Sequence, residues 1–328
     1  MDAVGSLKAR RIRFYRRGGP SVLQYEEFQV GEPGAGQVRL RQDAVGVNFV
    51  DTMFRDGTIE VPLPFAPGVE GAGVVDAVGS EVSDLKAGDR VAYWFSFGAY
   101  ATTRLVDADA LVKLPAGVST EQAAAVFAKG LTAWALVKRI HAVKPGDTVL
   151  VHAAAGGVGS LTASWAQALG AKVIATVGSP GKAEFVRQRG IEHVLDANDP
   201  ELAAKVKALN GGNGVDVVYE LVGAATFEQS VAAIRDGGDL VHLGNASGSP
   251  TVDAAALAAR SIRHVKPVTG QVVNDRPTLE AASKDLLSAL QEGIFGALRV
   301  TRYPLAEAGR AHEDIAARRV AGAIVLIP

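Results

Sequence analysis

The stretch Val151-His152-Ala153-Ala154-Ala155-Gly156-Gly157-Val158-Gly159 constrains this chain more than any other. Ahead of it, Thr148 to His152 is a short apolar run suited to a buried strand. Behind it, Leu161 to Leu169 reads as a helix that Gly170 stops, and Lys172 to Val177 reads as a second strand. Strand, glycine loop, helix and strand in that order are the context a G-x-G-x-x-G reading requires. Ala154, Gly156 and Gly159 occupy the three glycine positions. Gly156 lets the backbone approach a pyrophosphate, Gly159 lets the helix pack closely on the strand, and the helix N-terminus offers N–H groups and partial positive charge to phosphates. A tight strand–helix turn without a ligand is the plainer alternative, and the ordered elements around the loop favour the nucleotide.

The end of the second strand speaks to which nucleotide. An NAD site places Asp or Glu there, roughly 20 residues past the loop, to bind the ribose 2′-hydroxyl. Here Val177 is followed by Gly178-Ser179-Pro180-Gly181-Lys182, with no acid until Glu184. A hydroxyl, backbone N–H groups and a lysine suit a 2′-phosphate, so NADPH is favoured over NADH. Lys182 also fits an ordinary solvated lysine at a helix start.

Around this core the chain shows two textures. From Arg10 to about Gln122, short β-rich runs such as Val38–Arg41, Gly73–Val78 and Asp89–Tyr93 alternate with Gly, Pro and Asp, as in a folded antiparallel unit. From Gln122 to Ile140 an alanine-rich helix is expected. Later apolar runs, Val215–Tyr219 and Asp239–Leu243, alternate with helices, which argues for a parallel, doubly wound sheet over about 126–262. The remainder turns mixed again, with a helix expected over Arg276–Glu292 and a closing strand at Ala323–Ile327. The expected architecture is α/β, with domain boundaries at 1–125, 126–262 and 263–328.

Composition removes several classes of function. The 328 residues contain no cysteine, which excludes disulfides, thiol nucleophiles and cysteine-held metal. A net charge of −1, with no basic run, argues against nucleic acid as a partner. No apolar run is long enough to span a bilayer, and the first residues carry no apolar core of a secretory signal. A cytoplasmic protein acting on a small molecule is expected. The histidines are scattered, and His152 and His242, on expected strands, read as packed core residues.

With these residues in view, the chain resembles the zinc-independent quinone oxidoreductases, the zeta-crystallin-like branch of the medium-chain dehydrogenase/reductases. The resemblance runs from Gly18-Gly19-Pro20 to Pro328. It is carried by Gly46–Thr52, Pro67–Gly73, Lys129–Ala133, the glycine loop, Gly211–Tyr219 and Gly244–Gly248. It implies a GroES-like β-rich catalytic domain interrupted by a Rossmann domain, the C-terminal tail rejoining the first part, a homodimer, and an active site in the interdomain cleft. Asn48 and Asp51 are the catalytic residues it points to. Asn48, Phe49 and Thr52 would line the nicotinamide, with Lys129 and Thr132 at the same end. Gly156, Gly157, Val158 and Gly159 would hold the pyrophosphate, Gly178, Ser179 and Lys182 the 2′-phosphate. Leu243, Gly244, Asn245, Ala246 and Ser247 would close over the nicotinamide, and Met53, Arg55 and Ile59 would line the substrate pocket. Outside this motif Asn48 reads better as a turn or bulge asparagine.

Some positions depart from the family pattern. Zinc-dependent relatives have Cys and His where this chain has Asn48 and Val69, and neither residue here is a good zinc ligand. Family tyrosines are replaced by Met53, Ile59 and Ala197, and a Thr-Arg-Pro by Val265-Lys266-Pro267. The pocket is therefore expected to be more apolar than usual. Reducing a simple ketone develops an alkoxide that needs zinc or a strong acid. A quinone accepts hydride into a delocalised anion, and an activated alkene needs only modest hydrogen bonding. NADPH-dependent reduction of a quinone is the leading expectation. An alkenal or enone reductase is the nearer alternative, and a non-enzymatic NADPH-binding protein the distant one.

Overall fold

The structure is a computed structural model and describes residues 6–328. The chain forms two compact units, one running to Ala128 and completed by Leu298–Pro328, the other Lys129–Ala297.

In the first unit a ribbon pairs Leu7–Arg13 with Gln24–Val30, and a seven-stranded sheet supplies the core. The strand Gln37–Val47 is its organiser. Its alternate residues Val38 and Leu40 are buried, and its last four residues, Ala44 to Val47, are all buried, so the strand passes from half-covered to fully enclosed just before Asn48. It pairs with Glu70–Val78 on one side and with the tail strand Ala323–Ile327 on the other, Ile324 lying opposite Val47. Arg90–Trp94 and Leu111–Lys113 extend the sheet beyond Glu70–Val78. The expected return of the tail is thus built into the sheet. Ile324 and Leu326 share one hydrophobic cluster with Val38, Leu40 and Tyr93, each fully buried aliphatic chain contributing about 1.5–3 kcal/mol.

The second unit holds six parallel strands in the order His193–Asp196, Lys172–Val177, Thr148–Val151, Val215–Glu220, Ile234–His242, Arg263–Val265. Counted in sequence this is 3-2-1-4-5-6, so the chain reverses direction of winding between Thr148–Val151 and Val215–Glu220. Ligands of such sheets bind outside the carboxyl ends of the strands at that reversal. Residues 263–297, which the sequence reading gave to the returning first domain, are part of this unit. The helix Arg276–Gln291 is the reason: Leu286 packs so closely on Gly130 that a Cβ there would meet it at 2.3 Å, and Trp134 donates its indole N–H to Asp285 across 2.8 Å. The helix expected over Gln122–Ile140 is α-helical over Thr120–Trp134 and continues as a π turn to Ile140.

Candidate active site

The glycine loop begins where three strands meet. His152 donates its backbone N–H to Tyr219 of the fourth strand in sequence, and Ala154 donates to Thr176 of the second. Ala153 takes a left-handed conformation, φ 51°, and its carbonyl receives the N–H of Gly156 at 2.8 Å. Gly156 then caps the helix Gly157–Ala168. A Cβ on Gly159 would stand 2.3 Å from the Ala153 carbonyl oxygen, so the helix lies against the loop only because Gly159 has none. The first-turn N–H groups at Gly157, Val158 and Gly159 have no acceptors inside the helix, which leaves a helix N-terminus of the kind that favours phosphate groups. Lys129 is buried, and its aliphatic stem crosses Gly157, where a Cβ would touch Cδ at 2.7 Å. Thr132 is buried as well and meets the Thr269 hydroxyl at 3.2 Å.

At the end of Lys172–Val177, Gly178 and Ser179 are exposed, and Ser179 caps the helix Pro180–Arg187, with Lys182 half-buried in its first turn. Across the strand reversal, the segment Leu243–Ser247 is tied to the backbone after Glu220. Leu243 and Gly244 donate to the Glu220 carbonyl, Ser247 donates N–H and hydroxyl to the Val222 carbonyl, and a Cβ on Gly244 would lie 2.0 Å from the Leu221 carbonyl carbon. Asn245 and Ala246 sit half-buried within this loop. The structure thus brings the glycine loop and Leu243–Ser247 to the carboxyl ends of the two strands, Thr148–Val151 and Ile234–His242, that flank Val215–Glu220.

Beneath them lies a polar network that the sequence reading missed. His152 and Glu220 are fully buried, as the core assignment of His152 expected, yet both are hydrogen-bonded. Ser230 Oγ lies 2.5 Å from Glu220 Oε2 and 2.9 Å from His152 Nε2, and Thr176 Oγ1 lies 2.9 Å from Nδ1. Glu220 Oε1 also accepts the N–H groups of Val222 and Gly223. Burial alone would raise the Glu220 carboxyl, but His152 and these donors hold it below the usual range, while burial lowers the His152 imidazole. With its proton on Nε2, His152 donates to Ser230, which in turn donates to Glu220.

The first unit holds a polar cluster of its own around Asn48. Asn48 caps the helix Phe49–Asp56, and Asp51 Oδ2 accepts the Asn48 N–H at 2.8 Å. The Asn48 side-chain Nδ2 donates to Glu70 Oε1 at 2.8 Å, and Glu70 Oε2 accepts the backbone N–H of Ala128 at 2.6 Å. Asp51 is fully buried. Its Oδ2 also accepts the Tyr100 hydroxyl at 3.0 Å. Tyr100 in turn meets His312 Nε2 at 3.0 Å, and His312 Nδ1 meets Arg55 Nη1 at 3.2 Å. Burial and Asp51 push the Tyr100 phenol well above its usual range, and burial beside Arg55 pulls His312 down to about 3. Protons therefore point one way along the chain: Arg55 to His312, His312 to Tyr100, Tyr100 to Asp51.

Arg55, expected in the substrate pocket, is 6% exposed and spends its guanidinium on His312 and the Gly18 carbonyl. Thr52 is buried with its hydroxyl on the Phe49 carbonyl. Phe49, Met53 and Ile59 are half-buried, and Ile59 donates its N–H to the Met53 carbonyl. Glu70 sits inside the quoted stretch Pro67–Gly73. An acid opening a strand whose next five residues are glycine, alanine or valine was the signal that could have singled it out.

A GroES-like unit completed by the C-terminal tail, together with a Rossmann unit bearing a glycine loop, defines a medium-chain dehydrogenase/reductase. Residues 34–116 match the family described as alcohol dehydrogenase GroES-like domain, and residues 157–287 that described as zinc-binding dehydrogenase. The quinone oxidoreductase of Pseudomonas aeruginosa is 43% identical over 98% of this chain and 100% of its own. The 2-haloacrylate reductase of a Burkholderia species is 39% identical over 96% of this chain and 97% of its own. The crystal structure of Escherichia coli quinone oxidoreductase complexed with NADPH superimposes with a TM-score of 0.93, at 40% identity, covering 97% of this chain and 100% of that one. The chain belongs to the quinone oxidoreductase family.

Proposed function

We propose that the chain is an NADPH-dependent oxidoreductase that transfers hydride to a quinone without zinc. Asn48 carries the proposal. Its amide has two N–H groups; one is fixed on Glu70 Oε1, and the other serves as a neutral donor for an acceptor carbonyl. Such a donor suits an acceptor whose reduced anion is delocalised, and it is too weak for a localised alkoxide. The donors around Asn48 do not suit zinc. Val69 is apolar, the Asn48 amide is spent partly on Glu70, and among the described residues no three His, Asp or Glu side chains converge as a metal site.

The residues do suit NADPH. Gly156 to Gly159 would hold the pyrophosphate, and Gly178, Ser179 and Lys182 the 2′-phosphate. Leu243 to Ser247, Lys129, Thr132, Phe49 and Thr52 would surround the nicotinamide, which when bound supplies the hydride. Asp51 acts as a positioning residue, holding the Asn48 backbone, and Met53 and Ile59 border the acceptor. The E. coli relative complexed with NADPH supports this cofactor. The 2-haloacrylate reductase supports a second reading, reduction of an electrophilic alkene, for which the same Asn48 donor serves an enolate. We further place the enzyme in the cytoplasm as a homodimer, in line with the family resemblance; among the described residues no helix is long and apolar enough to cross a membrane. Sedimentation at the monomer mass would remove the dimer.

The test is NADPH oxidation against 1,4-benzoquinone, 9,10-phenanthrenequinone, an enal and a cyclic enone, with chelator as control. Quinone turnover that is indifferent to chelator and falls about ten- to hundredfold in Asn48→Ala is expected. Turnover of alkenes alone would move the chain to the second reading. An Asn48→Ala variant equal to wild type on every acceptor would remove Asn48 from the reaction.

A further inference from the structure

Glu220 is fully buried at the end of the strand Val215–Glu220, and the proposed reaction makes no use of its carboxylate. Four donors nonetheless converge on it. Oε1 accepts the backbone N–H groups of Val222 at 2.8 Å and Gly223 at 3.0 Å, and the Thr226 hydroxyl lies 2.9 Å from each oxygen. Ser230 Oγ, one turn further along the helix Ala224–Ala233, donates to Oε2 at 2.5 Å. An ionised carboxylate accepts at both oxygens and donates from neither, which suits four donors arranged in this way. Its removal would take the acceptor from two backbone N–H groups in the turn that follows the strand.

The segment Leu243–Ser247 rests on that same turn. Leu243 and Gly244 donate to the Glu220 carbonyl at 2.9 and 3.0 Å, and Ser247 gives its N–H and its hydroxyl to the Val222 carbonyl at 2.9 and 3.0 Å. Ser247 Oγ also accepts the Ala225 N–H at 3.0 Å. The two backbones come very close. A Cβ on Gly223, where φ is 108°, would stand 2.4 Å from the Gly248 carbonyl oxygen, and one on Gly244 would stand 2.0 Å from the Leu221 carbonyl carbon. These loop donors all end on Glu220 or Val222, and the Glu220 carboxylate holds the Val222 N–H in turn.

We propose that Glu220 is a positioning residue for the coenzyme. Its carboxylate fixes the turn at Val222 and Gly223, and thereby holds Leu243–Ser247 in the shape that receives the nicotinamide half before NADPH arrives. The inference rests on the placing of that loop at the nicotinamide. A loop ordered in advance takes its ordering cost out of the binding step. Loss of the tie therefore weakens the half of NADPH that the loop contacts and spares the adenosine half, which is assigned to Gly178, Ser179 and Lys182.

The experiment measures dissociation constants of NADPH and of adenosine 2′,5′-bisphosphate, which lacks the nicotinamide half, for the full-length wild type, Glu220→Met, Glu220→Gln and Gly244→Ala. In Glu220→Met the NADPH constant is expected to rise about tenfold while that of the bisphosphate stays within about twofold, which also shows that the variant is folded. Glu220→Gln keeps an oxygen for Val222 and Gly223 and should bind both ligands nearly as wild type does. Equal weakening of the two ligands in Glu220→Met, no weakening of either, or a glutamine variant as impaired as the methionine one would overturn the proposal. Hydrogen exchange on the unliganded wild type tests it without any substitution: the amides of Val222, Gly223, Leu243, Gly244 and Ser247 should be protected. Free exchange there until NADPH is added would mean that the coenzyme, and not Glu220, orders the loop. Gly244→Ala displaces the loop directly. An NADPH constant unchanged in that variant, with the same amides protected in wild type, would remove the loop from the nicotinamide and leave the Glu220 tie standing.

Discussion

Tyr100 donates its hydroxyl proton to Asp51 across 3.0 Å, with both side chains fully buried. Because Asp51 also accepts the Asn48 N–H, this bond couples the interior of the first unit to the start of the helix Phe49–Asp56. Tyr100→Phe removes the donor and leaves the His312 Nε2–H without its acceptor, at a cost of about 1–3 kcal/mol. If Tyr100 positions Asn48 through Asp51, kcat for quinone falls in Tyr100→Phe while NADPH affinity holds. The same substitution made in an Asp51→Asn background then costs far less, and a double-mutant cycle measures the difference. Additive losses would reduce Tyr100 to a packing role.

Gly159 makes the closest approach in the nucleotide loop, and Gly159→Ala is the direct probe of it. The new Cβ would meet the Ala153 carbonyl oxygen at 2.3 Å, and the obstacle is backbone rather than a movable side chain. Overpacking of this kind costs about 1–3 kcal/mol. A lower melting temperature and NADPH affinity weakened about tenfold or more are expected from thermal unfolding and fluorescence titration. Gly31→Ala is the control, since nothing lies within 4 Å of its Cβ position and it stands in the first unit, away from the nucleotide loop.

These two regions differ in how far the sequence reveals them. The glycine loop is legible because its physics is local: strand, turn, close-packed helix and next strand follow one another within a few dozen residues. The division of the sheet order and the return of Ala323–Ile327 against Val47 are not local, and only the family resemblance anticipated the return. The partners around Asn48 are more distant still. Glu70 is 22 residues away, Tyr100 is 49 from Asp51, and His312 is 212 from Tyr100 and 257 from Arg55. No spacing rule links such positions, so Arg55 read as a pocket residue when its charge is in fact committed inside the core. The boundary placed at 262 failed for a similar reason. The mixed composition after it resembles the first domain, and only the packing of Leu286 on Gly130 shows where that segment belongs.

Gly178 also offers a way to change the coenzyme. Its φ is not left-handed and its Cβ position is open, so Gly178→Asp introduces a carboxylate at the end of Lys172–Val177 without backbone strain. That carboxylate would accept from a ribose 2′-hydroxyl and repel a 2′-phosphate. The ratio of kcat/KM for NADPH to that for NADH is expected to fall at least about tenfold, equivalent to 1.4 kcal/mol. Lys182→Ala should move the ratio in the same direction by weakening NADPH alone. A ratio unchanged in both variants would place the 2′-phosphate elsewhere.

His312 sets an acid limit on stability. Burial and the neighbouring Arg55 lower its imidazole from the usual 6.5 to about 3, so the folded protein keeps it neutral where the unfolded chain takes up a proton. Between those two values the unfolded state binds more protons, and stability therefore rises with pH and is lost as pH falls, by about 1.4 kcal/mol per pH unit for this ring. His152, lowered by burial, acts in the same direction, and Glu220, whose carboxyl is lowered, adds a loss at more acid pH. Urea unfolding at pH 7 and pH 5 should show wild type losing stability on acidification, and His312→Gln losing less by about one proton's worth of slope. The glutamine variant is expected to be less stable at pH 7, because it cannot both accept from Arg55 and donate to Tyr100 with the imidazole's geometry. The slope, and not the absolute stability, is therefore the decisive quantity. An identical slope in the two proteins would mean that the folded state protonates this ring as readily as the unfolded chain does, and His312 Nδ1 could then not accept from Arg55.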